Sequence, residues 1–388
     1  MSFALMPPHL NHRKSTRGCL RCKTRKVKCD ENKPQCSGCH RHNVPCEYPS
    51  FEARRFDPRA KKARRDAPSS DFGSIQTTDL RLMHHYATET AATLSSAHFP
   101  AVRAMWAIDV PEMAFEYEPL LHTLLALAAV HRATLRPDET DQLRPVQQAH
   151  IDKALQHHRS ITANLAETIS ESVCVNTILI SLYTLTLRAE APMEPYEPPL
   201  LWMNMSHGIR TMLRMVYDQL IESKSRIFPL LVAQPIVHGT GKDSSSPDNP
   251  FQFLLHCHRD EEDMDESLLD VYKDAIAYLE TNLNAIKRKE SDFDIRKRFS
   301  AFPAVFTHCF IQLVSEKRPR ALVILAYLFA LVKGAEDSWW LRGIPEREVR
   351  GINSIMPLHW KWAMAWPLHL TIDNPEAIPM PVADPGRL

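Results

Sequence analysis

Beyond about Thr78 the apolar residues recur at helical spacing, and no strand-rich region interrupts them. Leu120, Leu121, Leu124, Leu125 and Ala128 form one stripe. Glu118-Pro119 stands before it, and a proline in a first turn gives up no N–H that the helix needs. Pro145 predicts the opening of a second helix, with Ile151, Leu155, Ile161 and Leu165 on its buried side. Ser170 predicts the cap of a third, carrying Val173, Ile178, Leu182 and Leu185. A fourth is expected over 200–220, with Met205, Ile209 and Met212, and a fifth over 265–287, through Leu268, Val271, Ala275, Leu279 and Leu283. Pro235 to Pro250, with Ser244 to Ser246, reads as a loop. The most apolar stretch, Ala321 to Val332, is 12 residues, too short for a membrane span and suited to a core helix. Residues 78–388 are therefore expected to form one mainly α-helical domain, without repeats and without a membrane span.

The first part of the chain breaks this pattern. Residues 1–17 are short, broken by two prolines and lack the apolar run of a secretory leader. Residues 50–77 are charged and interrupted by Pro58 and Pro68, which predicts a basic linker. Within it Lys61, Lys62, Arg64 and Arg65 are candidates for a nuclear localisation signal or a phosphate-contacting arm. Residues 54–78 carry no apolar heptad stripe, so no coiled coil is expected there. That leaves the helical domain as the candidate surface for a homodimer.

Between linker and N-terminus, residues 18–49 hold six of the nine cysteines. Cys19, Cys22, Cys29, Cys36, Cys39 and Cys46 read C-x2-C-x6-C, a six-residue loop, then the same unit again. A C-x2-C pair brings two thiolates to one tetrahedral metal. Six sulfurs cannot give two zinc ions four private ligands each, so two must bridge, which makes a binuclear cluster. A disulfide module suits an oxidising compartment that nothing here indicates. A redox C-x-x-C site would sit in a βαβ setting, which is absent.

Charge says what such a cluster is for. Residues 13–65 contain 17 Lys plus Arg against 5 Asp plus Glu, a net charge of +12. The remainder has 30 against 41, so a total of +1 conceals a bipolar chain. A small basic module beside an acidic body is a nucleic-acid footprint. Arg21, Lys23, Arg25, Lys26 and Lys28 crowd around the first cysteines. Most are expected to meet phosphates and one or two to read base edges, guanine being the favoured partner. Only Tyr48 and Phe51 are there to stack bases, which argues against RNA. Protein-binding zinc modules are usually less basic.

CLRCKTRKVKCDENKPQC resembles the fungal Zn2Cys6, or zinc-cluster, transcription factors. The resemblance implies two short helix-strand units around two Zn(2+) ions, with Cys19 and Cys36 bridging. It implies that the end of the first helix enters the major groove, with Lys26 as base reader and Arg25 beside it, commonly at CGG-like triplets. Pro34 falls on the proline that helps the loop between the halves reverse. LLHTLLALAAVHRATLRP with the Ala149-His150 helix, RPRALVILAYLFALVKGAEDSWWLRG and WKWAMAWPLHL resemble the sterol-uptake-control-like branch, over about residues 13–370. That branch implies a regulatory domain able to take an apolar ligand and to control cytoplasmic retention. Many relatives instead regulate fungal biosynthetic gene clusters.

Catalytic signatures fail on inspection. GTGKDSSS, at Gly239 to Ser246, lacks the glycine a phosphate loop needs at Ile236 and has Asp243 after the lysine. His256, Cys257 and His258 alternate and would not share a helix face. The histidine pairs at 84–85 and 157–158 are expected on helix surfaces, and Cys174 and Cys309 in the core. Five of the seven tryptophans, Trp339, Trp340, Trp360, Trp362 and Trp366, predict an aromatic core or a ligand pocket. The expectation is a nuclear, sequence-specific DNA-binding regulator of RNA polymerase II transcription that is not an enzyme. It would recruit the transcription machinery. Its alternative in another class is a helical interaction protein that titrates partners.

Overall fold

A computed structural model describes residues 18–48, 77–162, 170–235, 249–255 and 264–373. The chain divides into two compact units, Met1–Ile75 and Gln76–Leu388. Lys61, Lys62, Arg64 and Arg65, the Gly239 to Ser246 stretch, the His256 to His258 stretch and Leu165 lie outside the described residues.

In the first unit two short helices, α1 (Leu20–Thr24) and α2 (Ser37–Arg41), are each followed by an extended segment. No strand is formed among the described residues. The unit has almost no aliphatic core: Cys19, Cys22, Cys29, Cys36 and Cys39 are its buried centre, with Val44, Cys46 and Tyr48 packed against them.

The second unit is helical throughout its described residues. Its longer helices are α3 (Thr77–His85), α4 (Glu118–Leu135), α5 (Thr140–Thr162), α6 (Glu171–Thr186), α7 (Leu200–Glu222), α8 (Glu266–Lys287), α9 (Asp292–Val305), α10 (His308–Ser315), α11 (Pro319–Val332) and α12 (Ile344–Ile355). Caps follow the side chains. Ser170 accepts the N–H of Val173 and Asp265 that of Leu268, each satisfying one of a helix's orphan donors. Pro119 occupies the first turn of α4 as predicted. Pro145 does not open α5. The helix begins at Thr140, after a turn opened by Pro137, and Pro145 lies inside it. As the sixth residue of the helix, Pro145 forfeits the bond that an N–H there would give the Asp141 carbonyl, a loss confined to the second turn.

Two apolar clusters fill this unit. One joins α3 to α6 and the C-terminal half of α7, around Trp106, Leu124, Leu127 and Leu179. The other joins α8 to α12 and the start of α7, with α11 at its centre. Every residue from Arg320 to Val332 is buried, which explains why that stretch is apolar all round. Leu182 and Trp339 pack against both clusters. Among the described residues one helix, with its following turn at Glu171–Glu190, is long and apolar enough to cross a membrane. It packs among α4 and α7, and 67% of its most apolar window is buried.

Buried polar groups are concentrated in a few networks. Glu348, fully buried on α12, accepts from Arg188 Nε at 2.7 Å and Tyr196 Oη at 2.7 Å, and also from Arg347. This network ties α12 to the segment after α6. His131 accepts or donates at Nδ1 to Thr90 Oγ1, 2.9 Å away, and stacks on Trp339. Burial pushes its imidazole down to about 4. Two burial expectations need correction. His85 and His158 are buried, because neighbours on a helix project about 100° apart and one of each pair turns inward. Cys309 is exposed at the start of α10, whereas Cys174 is in the core as expected.

Candidate metal centre and nucleic-acid interface

The two halves of the first unit repeat most of one another's bonds, though Cys36 Sγ also accepts the N–H of Cys39 and Cys19 makes no such bond. Cys19 caps α1 and Cys36 caps α2, both in extended backbone. The N–H of Cys19 points to Cys29 Sγ at 3.4 Å, and that of Cys36 to Cys46 Sγ at 3.3 Å. Val27 donates to the carbonyl of Cys22, and Val44 to that of Cys39. Lys26 and Asn43 end the two helices in left-handed backbone, at φ 56° and 50°. The x6 spacing is thus a helical turn, a left-handed reversal and a return that brings the third cysteine back to the first.

The sulfurs converge. Cys19 Sγ lies 3.7 Å from Cys36 Sγ and 3.7 Å from Cys39 Sγ, and Cys22 Sγ lies 3.7 Å from Cys36 Sγ. A disulfide would hold them at about 2.05 Å. Two thiolates at about 2.3 Å from one tetrahedral zinc are separated by about 3.8 Å, so the spacing fits shared metal. Cys19, Cys22, Cys36 and Cys39 form a metal-competent group, and Cys29 approaches Cys36 in a second. Cys19 and Cys36 each lie 3.7 Å from both sulfurs of the opposite C-x2-C arm. In the metal-free thiol set, burial pushes Cys19 up and Cys39 up to about 12. Backbone N–H bonds hold Cys36 and Cys46 below the ordinary thiol value. Zinc ligation takes thiolates, so metal binding releases the thiol protons.

Contacts that the cysteine spacing does not reveal join the halves. Asp30 accepts the N–H of Ser37 at 3.1 Å and its hydroxyl, and Gln35 Nε2 donates to the Val44 carbonyl at 2.8 Å. Tyr48 donates its hydroxyl to the Asn32 carbonyl at 2.7 Å. The Lys33–Pro34 peptide in the connecting loop is cis. A polar residue directly after the third cysteine and another after the fourth were the available signal for the Asp30–Ser37 clamp.

Arg21, Lys23, Arg25, Lys26 and Lys28 are all exposed. None forms an ion pair among the described residues. They lie on α1 and on the turn that leaves it, so one end of one helix presents five cations to solvent. Leu20 and Val27, about half exposed, sit among them. This is a surface suited to a polyanion, with the buried cysteines beneath it.

Residues 17–55 match the fungal Zn(2)-Cys(6) binuclear cluster domain, and residues 81–191 match the fungal specific transcription factor domain. The chain is 34% identical to the Zn(2)-C6 fungal-type transcription factor afumD of Aspergillus fumigatus, over 85% of this chain and 88% of that one. It belongs to the fungal Zn(2)-C6 transcription factors. A Zn(2)-C6 fungal-type transcription factor of Gibberella zeae is 28% identical over 97% of this chain and 89% of its own. Sterol uptake control protein 2 of Saccharomyces cerevisiae is 24% identical over 71% of this chain, but over only 30% of its own length. The zinc-cluster factor accordingly holds two zinc ions in its cysteine module, binds DNA through it and acts in transcription, not catalysis. Nuclear localisation follows from the family.

The tryptophan-rich C-terminal region of the factor is mainly core. Trp340, Trp360 and Trp366 are buried, and Trp366 stacks on Tyr327 at 4.9 Å. Trp340 also borders an apolar cavity of about 90 Å³ with Leu94, Trp106, Leu179, Leu185 and Trp202. Ordinary ligand pockets span about 300–1,000 Å³, so a drug-sized or sterol-sized guest would require this cavity to widen.

Proposed function

We propose that this factor is a sequence-specific regulator of RNA polymerase II transcription serving a fungal biosynthetic gene cluster. The observation that carries the DNA-reading part is the exposed basic face of α1 and its exit turn, set on a sulfur-centred module. In this reading Cys19 and Cys36 bridge the two zinc ions, while Cys22 and Cys29 complete one site and Cys39 and Cys46 the other. Lys26 reads base edges in the major groove, at a CGG-like triplet. Arg21, Lys23, Arg25 and Lys28 supply phosphate contacts and register. Lys61, Lys62, Arg64 and Arg65 serve nuclear import or add phosphate contacts. The helical domain carries dimerisation and contact with the transcription machinery.

The pathway reading rests on the resemblance to zinc-cluster regulators; the relatives that cover 85% and 97% of the chain support the class of factor. A second reading, regulation of sterol genes by an apolar ligand with cytoplasmic retention, is favoured by the name of the more distant sterol uptake control proteins. Mapping the promoters bound by the tagged chain, with transcripts compared after gene deletion, separates them. Occupancy confined to one contiguous block of co-regulated genes supports the first reading. Occupancy of sterol biosynthetic promoters supports the second. No specific occupancy at all favours a partner-titrating protein.

A further inference from the structure

Three helices bring two imidazoles together, tilted 36° to one another, far along the chain from the cysteine module. α4 carries Glu118 and His122 four residues apart, α5 carries His150, and α3 carries Asp79. His122 Nδ1 lies 2.9 Å from His150 Nδ1. The outer nitrogens each face a carboxylate: His122 Nε2 is 3.5 Å from Glu118 Oε1, and His150 Nε2 is 3.4 Å from Asp79 Oδ1. Both histidines are 8% exposed.

The proton count of this arrangement is unbalanced. A neutral imidazole carries one N–H, and a carboxylate beside Nε2 draws the proton to that nitrogen. Both Nδ1 lone pairs then point at one spot, which is repulsive unless a cation sits there. A carboxylate behind a ligating imidazole is also the usual outer support of a metal-bound histidine, and here it occurs twice. We propose that His122 and His150 form a second metal site, taking a zinc-class divalent cation through both Nδ1 atoms, with Asp79 and Glu118 orienting the rings.

Tetrahedral zinc at about 2.0–2.1 Å from each nitrogen sets the two nitrogens about 3.3–3.4 Å apart. The rings need to separate by only about 0.4 Å from their present position. The remaining positions fall to water or a small exogenous ligand; the Glu118 carboxylate, on the Nε2 side of His122, is largely open to solvent and free to adjust. Lys153, exposed on α5, adds a like charge nearby. With two protein ligands and that charge, the site is weaker and more exchangeable than the cysteine cluster. An occupied site would pin α3 and α5 to α4.

The test is calorimetric titration of the full chain with zinc chloride at neutral pH, its cluster already loaded. About one further equivalent is expected, at micromolar affinity. Cobalt in that position should give d–d absorption without sulfur-to-metal charge transfer. The H122Q/H150Q double variant should lose the further equivalent and keep the cluster zinc. Asp79→Asn, on the rim, should weaken it about 10–100-fold. No further equivalent in the wild type, or one that persists in the double variant, overturns the proposal. Should the double variant fail to fold, unchanged affinity in Asp79→Asn overturns it equally. A proton shared between the rings in place of a metal would show as no uptake.

Discussion

At the scale of single residues, cysteines with the same spacing role have different consequences. Cys19 and Cys36 each lie 3.7 Å from both sulfurs of the opposite arm, a contact set neither Cys22 nor Cys39 makes among those sulfurs. Replacing either with Ala should disturb both metals, and replacing Cys22 should open one site first. Zinc stoichiometry by elemental analysis of each variant checks this; a Cys19→Ala chain that retains one tightly held zinc would contradict the bridging assignment. His131 gives a residue-scale pH effect of known sign. Its folded imidazole is pushed down to about 4 by burial, while the unfolded one titrates near 6.5. Below pH 6.5 the unfolded chain takes a proton that the folded chain refuses, so stability falls as pH drops toward 4. The slope is about 1.4 kcal/mol per pH unit, so the step from pH 6.5 to pH 5 removes about 2 kcal/mol. Urea unfolding of wild type and His131→Gln at pH 7 and pH 5 should show the variant losing about 2 kcal/mol less over that range.

At the scale of elements, how α12 is held depends on one glycine. A Cβ on Gly351 would come within 2.1 Å of the Tyr196 ring, whose hydroxyl serves buried Glu348. Gly351→Ala must displace that ring and strain the ion network. A loss of about 1–3 kcal/mol is expected by thermal or denaturant unfolding, and an unchanged midpoint would show that the ring moves freely. The sequence makes much of this layer legible. The Ser170 and Asp265 caps, the Pro119 start and the wholly buried α11 are local signals, and the structure realises each. The start of α5 was not legible, because Pro145 is compatible with both a first turn and the next one in. Burial of His85, His158, His122 and His150 was not legible either. Which face of an amphipathic helix turns inward at a polar residue is set by partners distant in sequence, such as Asp79 for His150 and Asn176 for His158. The cysteine module is the opposite case: its ligands and their geometry are nearly all local, so spacing alone indicates the cluster.

At the scale of the whole molecule, the division of labour is between a basic reader and a larger acidic body. Residues 54–78 offer no coiled-coil stripe, so assembly is assigned to the helical unit. Ultracentrifugation should find residues 10–70 monomeric and the full chain dimeric. A dimeric fragment, or a full chain that stays monomeric on DNA with one half-site protected, would contradict this. A linked pair of readers gains affinity through effective concentration alone, provided the linker spans the half-sites.

The most direct test of the central claim is binding-site selection from random duplex DNA by the zinc-loaded full chain, at stated salt, beside Lys26→Ala. The account predicts one enriched motif containing a CGG-like triplet, abolished by chelator. Lys26→Ala should lose about 1–3 kcal/mol and relax preference at one base pair, since its left-handed backbone is no harder for Ala than for Lys. Recovery of no motif above non-specific binding, or an identical motif from Lys26→Ala, would contradict it.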